Sequence, residues 1–333
     1  MSRKLRIILM LAALVGVWFV FPMVKGGTLG SWWEKTQSSA KQWFARDESK
    51  TASTSEEPQA AAGIPFPKLP PARSVKAIRI VTFNVVPLDQ EKILRPGVVK
   101  LLAEIVRRFD IAVLQGVDCR DRGVITTLVD EINAGGRLYS YATVPDPRRL
   151  TIARGTLILF DQQTVVIDRT TVWPVDDPER RLSFLPLMAA FQTRSANPEE
   201  AFTFSLVSVH IDPTKAALER ELLDDIFRAV RDDGRGEDDV ILVGDLGSDF
   251  RYIDAFRSLP DLGAVIVGLP TVLDGSRSVD NIVFDRRATV EYNGRFGIID
   301  LVREFDITPE QALSVADHLP VWAEFSVREG GDL

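Results

Sequence analysis

The side chains in this sequence that could do chemistry gather at the ends of short apolar runs. Asn84 ends a run that starts at Ala77, and His210 and Asp212 follow Phe202–Val209. Asp245 follows Val240–Gly244, Asp280 opens DNIVF, and the pair Asp317-His318 precedes Leu319. An acid or imidazole at the rim of a core strand is held by buried backbone yet opens onto solvent. Singly, each is also ordinary turn chemistry: Gly-Asp after a strand is a common turn, and Asp212 could simply satisfy His210. Together they offer carboxylates for a metal or a water and an imidazole paired with an acid. That set suits phosphate-ester hydrolysis, which needs a water placed in line and neutralisation of the developing charge.

Composition narrows the means. One cysteine, Cys119, leaves no internal disulfide and no cysteine-held cluster, and two histidines rule out a histidine-rich zinc site. A metal here is held mainly by oxygen, which suits magnesium, calcium or manganese. Cys119 itself reads as a packing residue rather than a nucleophile, with no histidine near it in sequence. Residues 1–72 carry a net +4 and the remainder a net −11. An acidic domain of that size is not built for nonspecific attraction to a phosphate backbone.

Elements must carry these groups to one place. Strand patterns are expected at Ala77–Val86, Ile111–Leu114, Leu138–Thr143, Thr156–Phe160, Thr164–Trp173 and Leu187–Gln192. Others follow at Phe202–His210, Val240–Val243, Val265–Val267, Val279–Phe284, Thr289–Tyr292 and Leu319–Val327. Helical spacing appears in Val98, Leu101, Leu102, Ile105 and Val106, and again over Val124–Ile132. A further helix is expected to start at Asp212-Pro213, with Leu218, Leu222, Ile226 and Val230 on one face. Thr308-Pro309-Glu310-Gln311 has a capping-box pattern. Strands that come both as neighbours and separated by helices predict mixed sheets with helices outside.

The chain divides into three parts. Leu5–Val24 is apolar over a membrane-spanning length, behind Arg3, Lys4 and Arg6, so residues 1–25 read as a cytoplasmic tip and transmembrane anchor. A cleaved signal peptide is the competing reading, and both place the main domain outside the cytoplasm. Within 26–72, Trp32, Trp33 and Trp43 fall in an amphipathic segment that suits the headgroup layer or a docked helix, and a Pro-rich linker follows. The domain occupies 73–333. No protein partner is indicated.

Six segments in order then carry a resemblance: TFN at 82–84, DIAVLQ at 110–115, SVHID at 208–212, VGDL at 243–246, VDNIVF at 279–284 and ADHLPV at 316–321. The series resembles the endonuclease/exonuclease/phosphatase superfamily over roughly 76–327. The resemblance implies a four-layered α/β/β/α sandwich of two mixed sheets with outer helices. It implies a phosphodiester hydrolase using Mg²⁺ or Mn²⁺. On matching positions it assigns Asn84 and Asp317 to the metal side, and Asp245 to the attacking water. It likewise implies that His318 contacts the phosphate, that Asp280 orients His318, and that His210 assists the leaving group or binds the phosphate.

Departures from the motifs qualify this. The motif LQE, which carries the main metal-holding glutamate, reads LQG here, with Gly116. The asparagine of GDFN is Gly247. The glutamate that pairs the first histidine falls near Arg154, and the arginine of an R-x-P motif is replaced by Phe184. Asp118, two residues beyond Gly116, is expected to be a turn residue rather than a substitute ligand. Three readings follow: a metal-dependent nuclease-like phosphodiesterase with a degenerate metal site, an inactive binding module, and a phospholipid phosphodiesterase suited to the anchor.

Overall fold

The computed structural model describes residues 75–331 apart from 147, 149–153 and 196. The expected anchor, amphipathic segment and linker lie outside the described residues. None of the described helices is long and apolar enough to cross a membrane.

Twelve strands form two sheets of six. The first sheet runs β11 (Tyr292–Ile298), β12 (Val321–Ser326), β1 (Ala77–Leu88), β2 (Ile111–Asp118), β4 (Arg154–Asp161), β3 (Tyr139–Ala142). The second runs β5 (Val165–Pro174), β6 (Leu187–Thr193), β7 (Thr203–His210), β8 (Val240–Asp245), β10 (Asp280–Asp285), β9 (Leu262–Ala264). Each sheet is mixed: β1 and β2 are parallel, as are β7 and β8, and the other pairs are antiparallel. Helices α2 (Val98–Val106) and α3 (Arg122–Asn133) bury apolar stripes in the same core cluster as the first sheet. Helix α5 (Leu223–Arg231) buries Leu223, Ile226, Phe227 and Val230 with the second. The expected α/β/β/α sandwich is therefore the observed fold.

Side-chain alternation decides what faces the space between the sheets. In β8, Ile241 and Val243 join the core shared by both sheets, while Val240 and Leu242 pack under α5. In β7, Phe204 and Leu206 are on the shared side and Val207 and Val209 on the helix side. In β10, Ile282 and Phe284 are shared and Val283 is not. By the same parity His210, Asp245 and Asp280 all face inward, toward the first sheet.

Three expected elements differ. The helix after Asp212 is delayed, because the Asp212 carboxylate accepts from Thr214 N at 2.9 Å and Thr214 Oγ1 at 2.7 Å, which fixes a turn instead. Helix α4 is Ala216–Glu219, and a 3₁₀ turn at Arg220–Leu222 separates it from α5. The strand expected at Val265–Val267 lies earlier, at Leu262–Ala264. At Ile266 the Asn281 side chain takes over both backbone bonds, accepting from Ile266 N at 3.0 Å and donating to Ile266 O at 2.7 Å. Thr289 belongs to a turn closed by its N–H on Asp285 O, so β11 starts only at Tyr292.

Candidate active site

The second sheet sets three of the expected residues in one row. His210 of β7 pairs with Asp245 of β8, and Asp245 with Asp280 of β10. Directly opposed residues share a face, so the three side chains stand together at one end of the sandwich. Asn84, from β1 of the first sheet, reaches across: its Nδ2 donates to Asp245 Oδ2 at 3.0 Å and lies 3.5 Å from His210 Nε2. His318 arrives on the segment between α7 (Pro309–Val315) and β12, fixed by an isolated bridge to Val272. Its Nδ1 lies 2.8 Å from Asp280 Oδ2, and its Nε2 lies 3.8 Å from Asp245 Oδ2. The structure therefore brings Asn84, His210, Asp245, Asp280 and His318 together. Asp317 is exposed, and its main-chain carbonyl accepts from Leu273 N.

Electrostatics follow from burial. The Asp245 carboxyl is raised to about 7, first by burial and then by Asp280, against His318, Gly247 N and Asn84, which favour its charge. For His318, burial opposes the charged ring, but Asp280, through charge and hydrogen bond, then Asp245 and Asp317, outweigh it and push it up to about 9. The gap of 3.8 Å between Nε2 and Oδ2 is too long for a hydrogen bond, and an oxygen held by both groups would sit beside the line joining them rather than between them.

Other residues support the cluster without any local signal in the sequence. Thr271, wholly buried, donates to Asp280 Oδ2 at 2.8 Å and accepts from Val279 N and Asp280 N. Phe184, at the position of the motif arginine, stacks on the His210 ring at 4.3 Å with 6° between planes. Glu219, buried, accepts from Asp212 N and Ser183 N, tying the loop after His210 to the loop that carries Phe184. Between the sheets, Gln115 Nε2 donates to Thr82 Oγ1 at 2.9 Å and to Ser208 Oγ at 3.2 Å, a polar bridge just below the site. Asp118 accepts from Arg120 N at the end of β2, a turn role as expected. Cys119 is buried and its thiol pushed up to about 11 by burial first, which keeps it an inert packing group.

The expected metal side does not fit a divalent ion. Asn84 Oδ1 accepts from Val86 N at 3.2 Å, while its Nδ2 serves Asp245 and faces His210, so both ends of the amide are engaged. Gly116 has φ +78° and lies where β2 slips register against both neighbours. A Cβ there would stand 2.6 Å from Val86 Cβ, closer than real contacts allow. Gly247, with φ +67°, is closed in the same way by Ile211 Cγ2 at 2.8 Å. Ligand atoms of Asp245, Asp280 and His318 do lie within 4.8 Å of one another. Yet Asp280 holds Nδ1 of an imidazole kept protonated, and a hard ion needs several oxygens.

The fold is that of solved endonuclease/exonuclease/phosphatase structures. A family protein from Leptotrichia buccalis superposes with TM-score 0.53 at 13% identity, covering 74% of this chain and 98% of that one. One from Bacteroides thetaiotaomicron gives 0.52 at 17% identity, covering 77% and 96%. In sequence, the chain is 26% identical over 267 residues to deoxyribonuclease-1-like 2 of Mus musculus, covering 75% of this chain and 92% of that protein. It is 28% identical over 272 residues to deoxyribonuclease-1-like 1 of Homo sapiens, covering 78% and 87%. No family model matches the chain. Together these likenesses show the fold, and in sequence they tie the chain to proteins named deoxyribonuclease-1-like.

Proposed function

We propose that this protein is a phosphodiester hydrolase of the nuclease-like kind, with nucleic acid as its first substrate class. The observation that carries the reading is the pairing of His318 Nε2 with Asp245 Oδ2 at 3.8 Å, backed by Asp280 on one side and Asn84 on the other. Asp245 takes a proton from a water whose oxygen bonds to phosphorus. His318, held protonated by Asp280, donates to a non-bridging oxygen and stabilises the charge that gathers there. The opposite P–O ester bond breaks, and the leaving oxygen is protonated by His210 or by solvent. Mg²⁺ or Mn²⁺ would supply charge neutralisation where bound, but with Gly116 in place of a glutamate and Asn84 Oδ1 taken by Val86 N, the ligands left to it are few.

The names of the deoxyribonuclease-like relatives support nucleic acid over lipid. The apolar Leu5–Val24 run supports a membrane anchor with the domain on the extracytoplasmic side. The full chain is expected to cleave bis-p-nitrophenyl phosphate and to nick plasmid DNA faster than it hydrolyses sphingomyelin or phosphatidyl vesicles. His318→Ala and Asp245→Asn are each expected to lower turnover by about 100- to 10,000-fold. A folded chain that turns over none of these diesters would instead act as a binding module.

A further inference from the structure

Lys92 lies on a single helical turn, α1 (Gln90–Ile93), directly after β1. Its side chain folds back beneath that strand, and Nζ donates to the Val85 carbonyl at 3.0 Å. The residue is only 5% exposed. An ammonium has three N–H groups, and among the described residues Nζ has this single acceptor. Burying an ammonium is costly unless anions or acceptors answer it. Burial and then Arg95 pull its pKa down to about 8, while the charges of Asp317 and Asp89 hold it up, so it stays largely charged at neutral pH.

Its neighbours give that placement meaning. Val85 sits between Asn84, which holds Asp245, and Val86, which closes the space over Gly116. Gly116 is the position of the motif's metal-holding glutamate. Asp317, whose charge acts on Lys92, immediately precedes His318. The Lys92 ammonium thus sits under the stretch of β1 that carries Asn84 and Val86, and its charge would repel a dication bound close to it.

We propose that the Lys92 ammonium is the resident cation of this site: it takes the charge-neutralising part of a divalent ion, with a phosphate oxygen of the substrate as its missing acceptor. The inference rests on the phosphodiester-hydrolase reading above. It accounts together for the absent side chain at Gly116, the closure by Val86, the engaged amide of Asn84 and an otherwise under-bonded buried ammonium.

The test uses the full chain and two readouts. Treated with EDTA, it is expected to cleave bis-p-nitrophenyl phosphate within about twofold of its rate in Mg²⁺, since the neutralising charge is covalently attached. In calorimetric titration with inorganic phosphate, Lys92→Met is expected to weaken binding by about tenfold or more, the scale of a lost charged hydrogen bond. Lys92→Arg keeps the cation and is expected to retain most of that binding. Should Lys92→Met fail to fold in a thermal melt, Lys92→Gln keeps a donor for Val85 O without the charge and takes its place. Phosphate binding unchanged in the neutral variants overturns the proposal, as does saturable Mg²⁺ binding that raises turnover more than about tenfold. Absence of turnover in every condition would sink the hydrolase reading, while the phosphate titration would still decide the role of Lys92.

Discussion

Asp280 Oδ2 stands 2.8 Å from His318 Nδ1, and the same oxygen accepts the Thr271 hydroxyl at 2.8 Å. The other oxygen, Oδ1, is buried without a hydrogen-bond partner. The carboxylate therefore directs its bonding at the imidazole, fixes which ring nitrogen faces Asp245, and stabilises the charged ring. Asp280→Asn keeps the shape but removes the charge. Turnover is expected to fall by about 100- to 10,000-fold, and the melting temperature to fall at neutral pH, since the charge that stabilises the imidazolium is lost. The His318 titration, followed by NMR, is expected to move down. An unshifted titration would leave Asp280 as a structural residue only.

The pH dependence of turnover follows from the same pair. Asp245 must be ionised to take a proton, and its carboxyl is raised to about 7. His318 must be protonated to donate, and it is raised to about 9. Turnover is expected to rise through about pH 7, hold, and fall through about pH 9, with the two limbs belonging to the coupled pair. In the Asp280→Asn variant the falling limb is expected to shift to lower pH, because the largest charge favouring the imidazolium is gone. Stability has its own sign: the folded pKa of His318 lies above the unfolded value of about 6.5. Its contribution is fully present below that value and is lost as pH rises through about 9.

Restoring the motif glutamate is expected to fail. Gly116→Glu must place a Cβ against Val86 at 2.6 Å and hold a non-glycine residue at φ +78°. Overpacking and a left-handed backbone together are expected to cost about 2–5 kcal/mol, read as a lower denaturation midpoint, with no gain in Mg²⁺ binding by calorimetry. Adding Val86→Gly removes the two side-chain atoms but leaves Val86 Cα 2.7 Å from the new Cβ and the backbone at positive φ, so it is expected to recover little of the loss. Tight Mg²⁺ binding by the single variant would show that the corner is more open than the geometry allows.

Much of this was legible in the sequence because it depends on parity and position. His210, Asp245 and Asp280 each continue an alternation of apolar side chains, so their shared inward direction follows from strands read along the chain. Asn84, at the end of β1, was found by the same signal. What failed was whatever a distant side chain decides. Asn281 replaces backbone pairing at Ile266, which ends β9 early, and Asp212 ties down Thr214 rather than starting a helix. Gly116 could be read as a missing ligand, but not as a position closed by Val86, since that contact spans two strands. Lys92 carried no signal at all, because a lysine beside Gln90 and Glu91 reads as a solvated helix end until its side chain is seen beneath the strand.

Away from the site, Asp239, Glu291 and Glu329 bring carboxylate oxygens within 4.8 Å of one another at the start of β8. Asp239 and Glu291 are buried, and Asp239 Oδ1 and Glu291 Oε2 have no hydrogen-bond partner. Burial, ahead of the neighbouring Glu291, Glu237 and Glu329, raises the Asp239 carboxyl to about 8 despite help from Thr289. Its folded pKa thus exceeds the unfolded value of about 3.9. The folded chain binds the extra proton, so stability falls as pH rises from about 4 to about 8. Asp239→Asn removes the charge that must otherwise be buried or neutralised. At pH 8 it is expected to stabilise the fold by about 1–3 kcal/mol, raising the melting temperature by about 2–4 °C for each kcal/mol. At pH 4.5, where the native acid is protonated, the advantage is expected to vanish. Thermal melts of both proteins at the two pH values decide it: a gain that does not depend on pH would place the effect in packing rather than in charge.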